Sequence, residues 1–198
     1  MHDSTIATCE VLLRNRPGSL LVVHSFTEKA KQEIRDKQMK KAKEMKAARN
    51  PYEEFLAARY LDDHGRECVP ITAIKKAIVT AATAFEDLTK VGLRQSVFVD
   101  SATYPGQPLL PIEDHDGQLA KGVMREDAVT IGINTRGLTY RPAYTQWQFR
   151  VYLEYNSGIV SEEQLYALID HAGWGVGICE GRPEKSSALG WGRFLRVP

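Results

Sequence analysis

Residues 147–155 constrain the fold more than any other part of the chain, because apolar and polar side chains alternate strictly along them. A period of two predicts a strand with one face on the core and one toward solvent. Ser161 and Gln164 then form a capping-box sequence in front of an apolar stripe at helical spacing. A helix that ends at Gly173 is therefore expected directly after this strand.

The remaining patterns extend this strand-helix unit. Residues 5–14, 95–99 and 127–133 are predicted strands, and residues 19–26 are a continuation or hairpin partner of the first. Apolar residues recur at helical spacing from Ile71 to Leu88, between Pro70 and Gly92, which predicts the first helix. A strand pair is expected to flank a glycine-rich loop in the C-terminal stretch 173–197. Stripped of insertions, this order indicates an α+β fold with a ferredoxin-like or RRM-like β-α-β-β-α-β core.

Composition limits the class of protein. A chain of 198 residues with 43% apolar residues is expected to form one domain, 1–198. It has no apolar run of membrane-spanning length, and its first residues lack signal-peptide features. Cys9, Cys68 and Cys179 are widely spaced, which is typical of reduced thiols in a cytoplasmic protein. No cofactor and no metal site is expected.

A strongly basic segment separates the first strand from the first helix. Residues 28–49 contain seven Lys and two Arg against three Glu and one Asp, an excess of five positive charges. Because few large apolar residues accompany them, we expect residues 28–49 to project as a basic helical arm. A second short helical stretch begins after it at Pro51, and the whole inserted arm is expected to span 28–60. Lys40, Lys41 and Lys43 are candidate nucleic-acid contacts. The alternative is a solvated helix with no partner.

The C-terminal stretch 173–197 combines six glycines with the cations Arg182, Lys185 and Arg193. Glycine leaves the backbone open to close approach, and the cations favour a phosphate backbone as the ligand. The alternative is that these glycines mark tight bends or close packing of a neighbouring chain segment.

Two motifs resemble the RAMP superfamily of CRISPR-associated proteins. Residues 69–78, VPITAIKKAI, are similar to the start of its first helix, and the ending GWGRF is similar to the close of its glycine-rich loop. The resemblance is nearest to the backbone subunits that polymerise along guide RNA, and it implies that Lys75 and Lys76 face bound nucleic acid. The chain departs from the pattern at Thr72, Ala73 and Lys76. The layout of residues 125–129 (REDAV), 140–147 (YRPAYTQW) and 181–185 (GRPEK) is also similar to that of uncharacterised bacteriophage proteins.

Three functions follow from the residues and the resemblance. The first is a non-enzymatic RAMP-like subunit that binds RNA or single-stranded DNA and assembles with copies of itself or other CRISPR-type subunits, without a membrane partner. The second is a phage counter-defence protein that mimics or blocks a CRISPR subunit. The third is an endoribonuclease that uses His24 or His64. The first assigns no catalytic residue.

Overall fold

The structure is a computed structural model that describes residues 5–25, 34–36, 38–39, 49–131, 135–185 and 189–197. Its strands are β1 (Ile6–Asn15), β2 (Leu21–Val22), β3 (Tyr60–Leu61), β4 (Glu67–Pro70), β5 (Val97–Ser101), β6 (Leu109–Pro111), β7 (Val123–Ile131), β8 (Thr135–Tyr144), β9 (Gln148–Asn156) and β10 (Phe194–Val197). Its helices are α1 (Pro51–Ala57), α2 (Ile71–Ala81), α3 (Lys90–Ser96) and α4 (Glu162–His171), with a 3-10 turn at Ala82–Ala84 and a π-helical turn at Ala172–Val176. The expected α+β class is confirmed.

The main sheet has four antiparallel strands in the order β10-β1-β9-β5. Strand β9 contains the alternating segment, and its positions 149, 151, 153 and 155 are buried while 150, 152 and 154 are exposed. Gln148 is also buried, and its side-chain oxygen is satisfied there by hydrogen bonds of 2.9 and 3.1 Å from Arg14. The predicted half-buried strand is therefore confirmed.

Helices α2 and α4 pack against each other and against β5 and β10 of this sheet. Their apolar stripes are fully buried, with Ile74 and Ile78 on α2 and Leu165 and Leu168 on α4. Burial of each such side chain stabilises the fold by roughly 1.5–3 kcal/mol. The described residues include no helix that is long and apolar enough to cross a membrane.

Helix α4 begins with the predicted capping box. The Ser161 side chain accepts a hydrogen bond from the Gln164 N–H, and the Gln164 side chain accepts one from the Ser161 N–H. Two N–H groups that would otherwise lack partners at the helix start are thereby satisfied. The α-helix ends at His171, and the chain continues to Val176 as the π-helical turn, past the end predicted at Gly173.

The first predicted helix is shorter than its apolar spacing indicates. Helix α2 ends at Ala81, and Phe85 has an extended backbone with φ −126°. Thr89 then caps a separate helix, α3, by accepting a hydrogen bond of 3.0 Å from the Gly92 N–H. Gly92 therefore lies inside α3 and does not end α2. Because α3 continues to Ser96, the strand predicted at 95–99 begins only at Val97.

A second sheet has the strand order β2-β8-β7. The expectation that residues 19–26 continue β1 or pair with it is wrong, because β2 pairs with β8 through Leu21 opposite Tyr144 and Val22 opposite Ala143. The strand predicted at 127–133 begins earlier, since β7 spans Val123–Ile131. Helix α1 begins at Pro51 as predicted, packs on β8 and buries Phe55.

The other elements lie around the start of α2. A third sheet has the order β3-β4-β6, and β4 leads directly into α2 at Ile71. The strand expected before the glycine-rich loop is not formed at residues 173–185. These residues instead make the π-helical turn and isolated backbone hydrogen bonds to the segment after β1, such as Glu180 N to the Val22 carbonyl at 3.0 Å.

Candidate nucleic-acid interface

The glycine-rich loop is held against the turn that follows β1. The Gly192 N–H donates to the Leu20 carbonyl at 2.7 Å. Ser19 contributes its hydroxyl twice, as a donor to the Gly190 carbonyl at 3.2 Å and as an acceptor from the Arg193 N–H at 2.8 Å. These bonds fix residues 190–193 at the end of the loop to the body of the domain.

Two of the loop's glycines are required by close packing of the chain on itself. A Cβ at Gly192 would lie 1.9 Å from the Ile178 carbonyl oxygen, and one at Gly173 would lie 2.2 Å from the Phe194 carbonyl oxygen. At Gly190, by contrast, the nearest atom would be 3.7 Å away. The first two positions thus agree with the alternative that their glycines serve tight packing.

The start of α2 and the glycine-rich loop line one cleft of about 350 Å³. The α2 wall includes Thr72, Ala73 and Lys76, which are the three positions that depart from the RAMP pattern. The loop wall consists of residues 176–180 with Arg182 and Glu184. The fold therefore places the first motif opposite the loop that ends in the second. GWGRF does not itself line the cleft but is bonded to the loop wall, where the Ile178 N–H donates to the Gly192 carbonyl at 3.0 Å.

The cations at the cleft differ in whether their side chains form hydrogen bonds within the protein. Arg182 donates through Nη1 to the Cys179 carbonyl at 2.6 Å and through Nε to Glu184 at 2.9 Å. Burial raises the pKa of Glu184, but the Arg182 hydrogen bond and the charges of Lys185 and Lys76 lower it overall. Lys76 is exposed on the α2 wall, and Lys185 is exposed directly after the lining residue Glu184, so these two are the cations here best placed to meet a ligand.

A third wall of the cleft contains His24 and Tyr60. The Tyr60 hydroxyl donates to the His24 carbonyl at 3.2 Å. Desolvation lowers the pKa of His24 from its ordinary value of 6.5. The Glu180 charge raises this pKa and the Arg141 charge lowers it, and the net result is a decrease. The imidazole is therefore mainly neutral at pH 7. His64 lies instead in the turn between β3 and β4.

Lys75 and Lys76 point in different directions although they are adjacent in sequence. Lys76 lines the cleft, whereas the Lys75 Nζ lies 4.4 Å from the centre of the Phe98 ring. Phe98 belongs to β5, at the edge of the main sheet, and is 50% exposed. A nucleic-acid contact through Lys75 stays a prediction, and it would lie on a different surface from one through Lys76.

Arg193 lies beside an aromatic residue that sequence analysis missed. Its Nε donates to the Trp174 carbonyl at 3.0 Å, and its guanidinium carbon lies 5.8 Å from the centre of the Trp174 ring. Trp174 is 55% exposed. The sequence signal was its position between Gly173 and Gly175, just after the apolar stripe of the preceding helix and outside its spacing.

The predicted contacts Lys40, Lys41 and Lys43 lie outside the described residues. The end of their segment is described at Arg49. This residue forms a bidentate pair with Glu54 of α1 and donates to the Leu138 carbonyl of β8 at 2.7 Å. The basic segment is therefore anchored to the body of the domain at its C-terminal end.

The side chains of the described residues offer little metal-binding or thiol chemistry. No group of three or more His, Cys, Asp or Glu side chains among them is placed to hold a metal ion. The cysteines are free. Burial raises the pKa of Cys68 to about 12 and that of Cys179 to about 12, with Asp62 and Glu180 adding to the respective shifts. Both thiols therefore stay protonated at pH 7, the form that is a poor nucleophile and metal ligand.

Comparison with known proteins leaves the chain without an assigned family. No protein-family model matches it, and no curated protein matches it. Among solved structures it is similar to Cmr6 from Pyrococcus furiosus, at 12% sequence identity and a TM-score of 0.42, over 98% of this chain and 99% of that chain. A similarity with a TM-score below 0.5 defines neither the fold nor the function of the present chain.

Proposed function

We propose that this chain is a non-enzymatic, RAMP-like subunit that binds RNA or single-stranded DNA and assembles with copies of itself or with other CRISPR-type subunits. Binding would occur at the cleft between the start of α2 and the glycine-rich loop. Lys76 and Lys185 would contact phosphate oxygens, while Arg182 would hold the loop in the conformation that presents them.

The order of elements supports a ferredoxin-like core for this subunit. In chain order, β1, α2, β5, β9, α4 and β10 follow the β-α-β-β-α-β pattern, and the β7-β8 hairpin is inserted between its second and third strands. The sheet order β10-β1-β9-β5 places the first and third strands of this pattern at the centre. Both helices then lie on the same layer, which fits their mutual packing.

The proposal rests on one observation. The start of α2, which carries one motif of the resemblance, lines the same cleft as residues 176–184 of the loop that the GWGRF motif closes, and the two walls contribute Lys76 and Arg182. Lys76 projects from the first turns of α2, where the partial positive charge of the helix N-terminus adds to its own. A phosphate backbone that crosses the mouth of the cleft could therefore meet Lys76 on the α2 wall and Lys185 beside the loop wall, where it follows the lining residue Glu184.

Binding of fluorescently labelled oligo(U) and oligo(dT), measured by polarisation, tests this function. We expect measurable binding by the native chain and strong loss in the double variant Lys76→Glu/Lys185→Glu, because both contacts become repulsive. Lys121→Glu is the matched control, since Lys121 is exposed and is neither in the cleft wall nor next to a lining residue. Equal affinities for the native chain and the double variant would refute the proposed site.

A second candidate function, a metal-independent endoribonuclease, is favoured by the position of His24. A neutral imidazole in the cleft is able to accept a proton from a ribose 2′-hydroxyl, and Tyr60 and Lys76 line the same cleft. Incubation with end-labelled RNA in excess EDTA separates the candidates. The non-enzymatic proposal predicts no cleavage by the native chain; cleavage that is lost in His24→Ala and kept in His64→Ala would establish the second function.

A further inference from the structure

Trp174 is exposed in a way that the other two tryptophans are not. Trp147 is fully buried and Trp191 is 8% exposed, whereas Trp174 exposes 55% of its surface. Exposure of so large an apolar ring costs free energy that burial would recover. The packing of this domain therefore leaves much of the ring available for contact with a ligand.

The backbone holds Trp174 at this position. It lies in the π-helical turn that follows α4, and such turns occur frequently at functional sites. Gly173, the residue before it, packs so closely on the Phe194 carbonyl that no side chain fits there. The turn is thus fixed to β10, and the ring has a defined place on the surface beside the glycine-rich loop.

Arg193 supplies a positive charge next to this ring. Its Nε is held by the Trp174 carbonyl at 3.0 Å, while its two Nη groups have no hydrogen-bond partner among the described residues. The guanidinium carbon lies 5.8 Å from the ring centre, near the outer limit of about 6 Å for a cation–π contact. Arg193 therefore leaves much of the ring uncovered and keeps donors for a ligand.

We propose that Trp174 stacks on an unpaired base of a bound single strand while Arg193 binds a neighbouring phosphate. This inference rests on the proposed nucleic-acid binding and extends its surface from the cleft to the π-helical turn. An aromatic ring beside a cation is the arrangement by which proteins hold single strands without base preference. A base supplies the flat apolar surface that the ring lacks, and the phosphate supplies acceptors for the Nη donors.

The other exposed aromatic pair suits a polyanion less well. Phe98 and Tyr152 lie on the open face of the main sheet. The Lys75 Nζ already covers the Phe98 ring, 4.4 Å from its centre, and the cross-strand neighbours are acidic, with Phe98 opposite Glu154 and Tyr152 opposite Asp100. Carboxylates directly beside these rings would repel a phosphate backbone. Trp174, with Arg193 as its neighbour, is therefore the stacking site that the charges favour.

Tryptophan fluorescence during titration with oligo(U) and oligo(dT) tests the inference. We expect quenching in the native chain and little quenching in Trp174→Phe, because Trp147 and Trp191 are buried. Trp174→Phe should keep most of the affinity, since it keeps a ring. Trp174→Ala should bind roughly 5- to 150-fold more weakly, the factor that corresponds to loss of one stacked base at ~1–3 kcal/mol.

A control variant and a measurement of self-association separate base stacking from other roles of the Trp174 ring. Tyr52→Ala removes a ring that is 60% exposed on α1 and should leave affinity unchanged. If the native chain binds neither oligonucleotide, the proposed function and this inference both fail. If it binds and Trp174→Ala binds equally, with no quenching, only the stacking fails. Loss of self-association in Trp174→Ala on size-exclusion chromatography, with oligonucleotide affinity intact, would instead assign the ring to a protein contact and overturn the inference.

Discussion

The Nη1 group of Arg182 donates a hydrogen bond of 2.6 Å to the carbonyl of Cys179, a non-glycine residue with a φ of +59°. The left-handed conformation costs a residue with a Cβ roughly 1–2 kcal/mol. Arg182 stabilises the backbone at this position from within the same loop. Its first role is therefore structural, although its residue type alone indicates a phosphate contact.

Replacement of Arg182 by Ala is expected to lower the free energy of unfolding by about 1–3 kcal/mol, because hydrogen bonds to the Cys179 carbonyl and to Glu184 are lost. Urea denaturation measures the change. Lys185→Ala is the matched control in the same loop, and as an exposed substitution it should change stability by less than about 0.5 kcal/mol. Equal stability of the two variants would contradict a structural role for Arg182.

The glycines of the loop allow a test of close packing against backbone strain. Gly190 and Gly192 have nearly the same φ, +62° and +65°, but only a Cβ at Gly192 would collide with backbone, 1.9 Å from the Ile178 carbonyl oxygen. Gly190→Ala should cost about 1–2 kcal/mol from its φ alone. Gly192→Ala should cost more than about 3 kcal/mol or prevent folding. Thermal unfolding that gives equal values for both would rule out the close packing at Gly192.

Asp62 makes stability dependent on acid. Its carboxylate accepts hydrogen bonds of 2.9 Å from the N–H groups of His64 and Arg66 and pairs with the Arg66 guanidinium. Burial raises the pKa of Asp62, but these hydrogen bonds and the Arg66 charge lower it overall. Because the folded-state pKa lies below the unfolded value of about 3.9, the stabilisation is complete above that pH and is lost as the pH falls through the folded-state value.

The free energy of unfolding should therefore fall less steeply below about pH 4 in Asp62→Asn than in the native chain. Asp63→Asn changes the exposed neighbouring carboxylate and should follow the native chain. Denaturant titrations at several acidic pH values provide the comparison. Parallel curves for Asp62→Asn and the native chain would show that Asp62 does not carry this pH dependence.

The parts of the fold that local patterns determine were predictable from the sequence. The alternation in β9 and the capping box at Ser161 are each set by residues within one element, and both agree with the structure. The second helix start at Thr89 was missed because apolar residues keep helical spacing across the break. Leu88 is buried, but it lies in the connection between the 3-10 turn and α3 and not in a helix.

The second and third sheets depend on long-range pairing that leaves a weak local signal. Strand β8 contains a glycine, a proline and the buried Arg141, whose charge is balanced by Asp127 at 2.9 Å. The proline and the buried arginine interrupt the apolar signal of this strand. The cleft was predictable only as two separate motifs, because residue types do not reveal that Lys76 and Arg182 face one space while Lys75 and Arg193 face elsewhere.

The salt dependence of oligonucleotide affinity tests the central claim most directly. For single strands, the logarithm of the binding constant falls with the logarithm of salt concentration by about 0.7 per phosphate contact. The account predicts a clear negative slope for the native chain with oligo(U) or oligo(dT), and a slope reduced by roughly 1.4 in Lys76→Ala/Lys185→Ala, which removes two contacts. A native slope near zero, or an unchanged slope in the double variant, would contradict phosphate binding at the cleft.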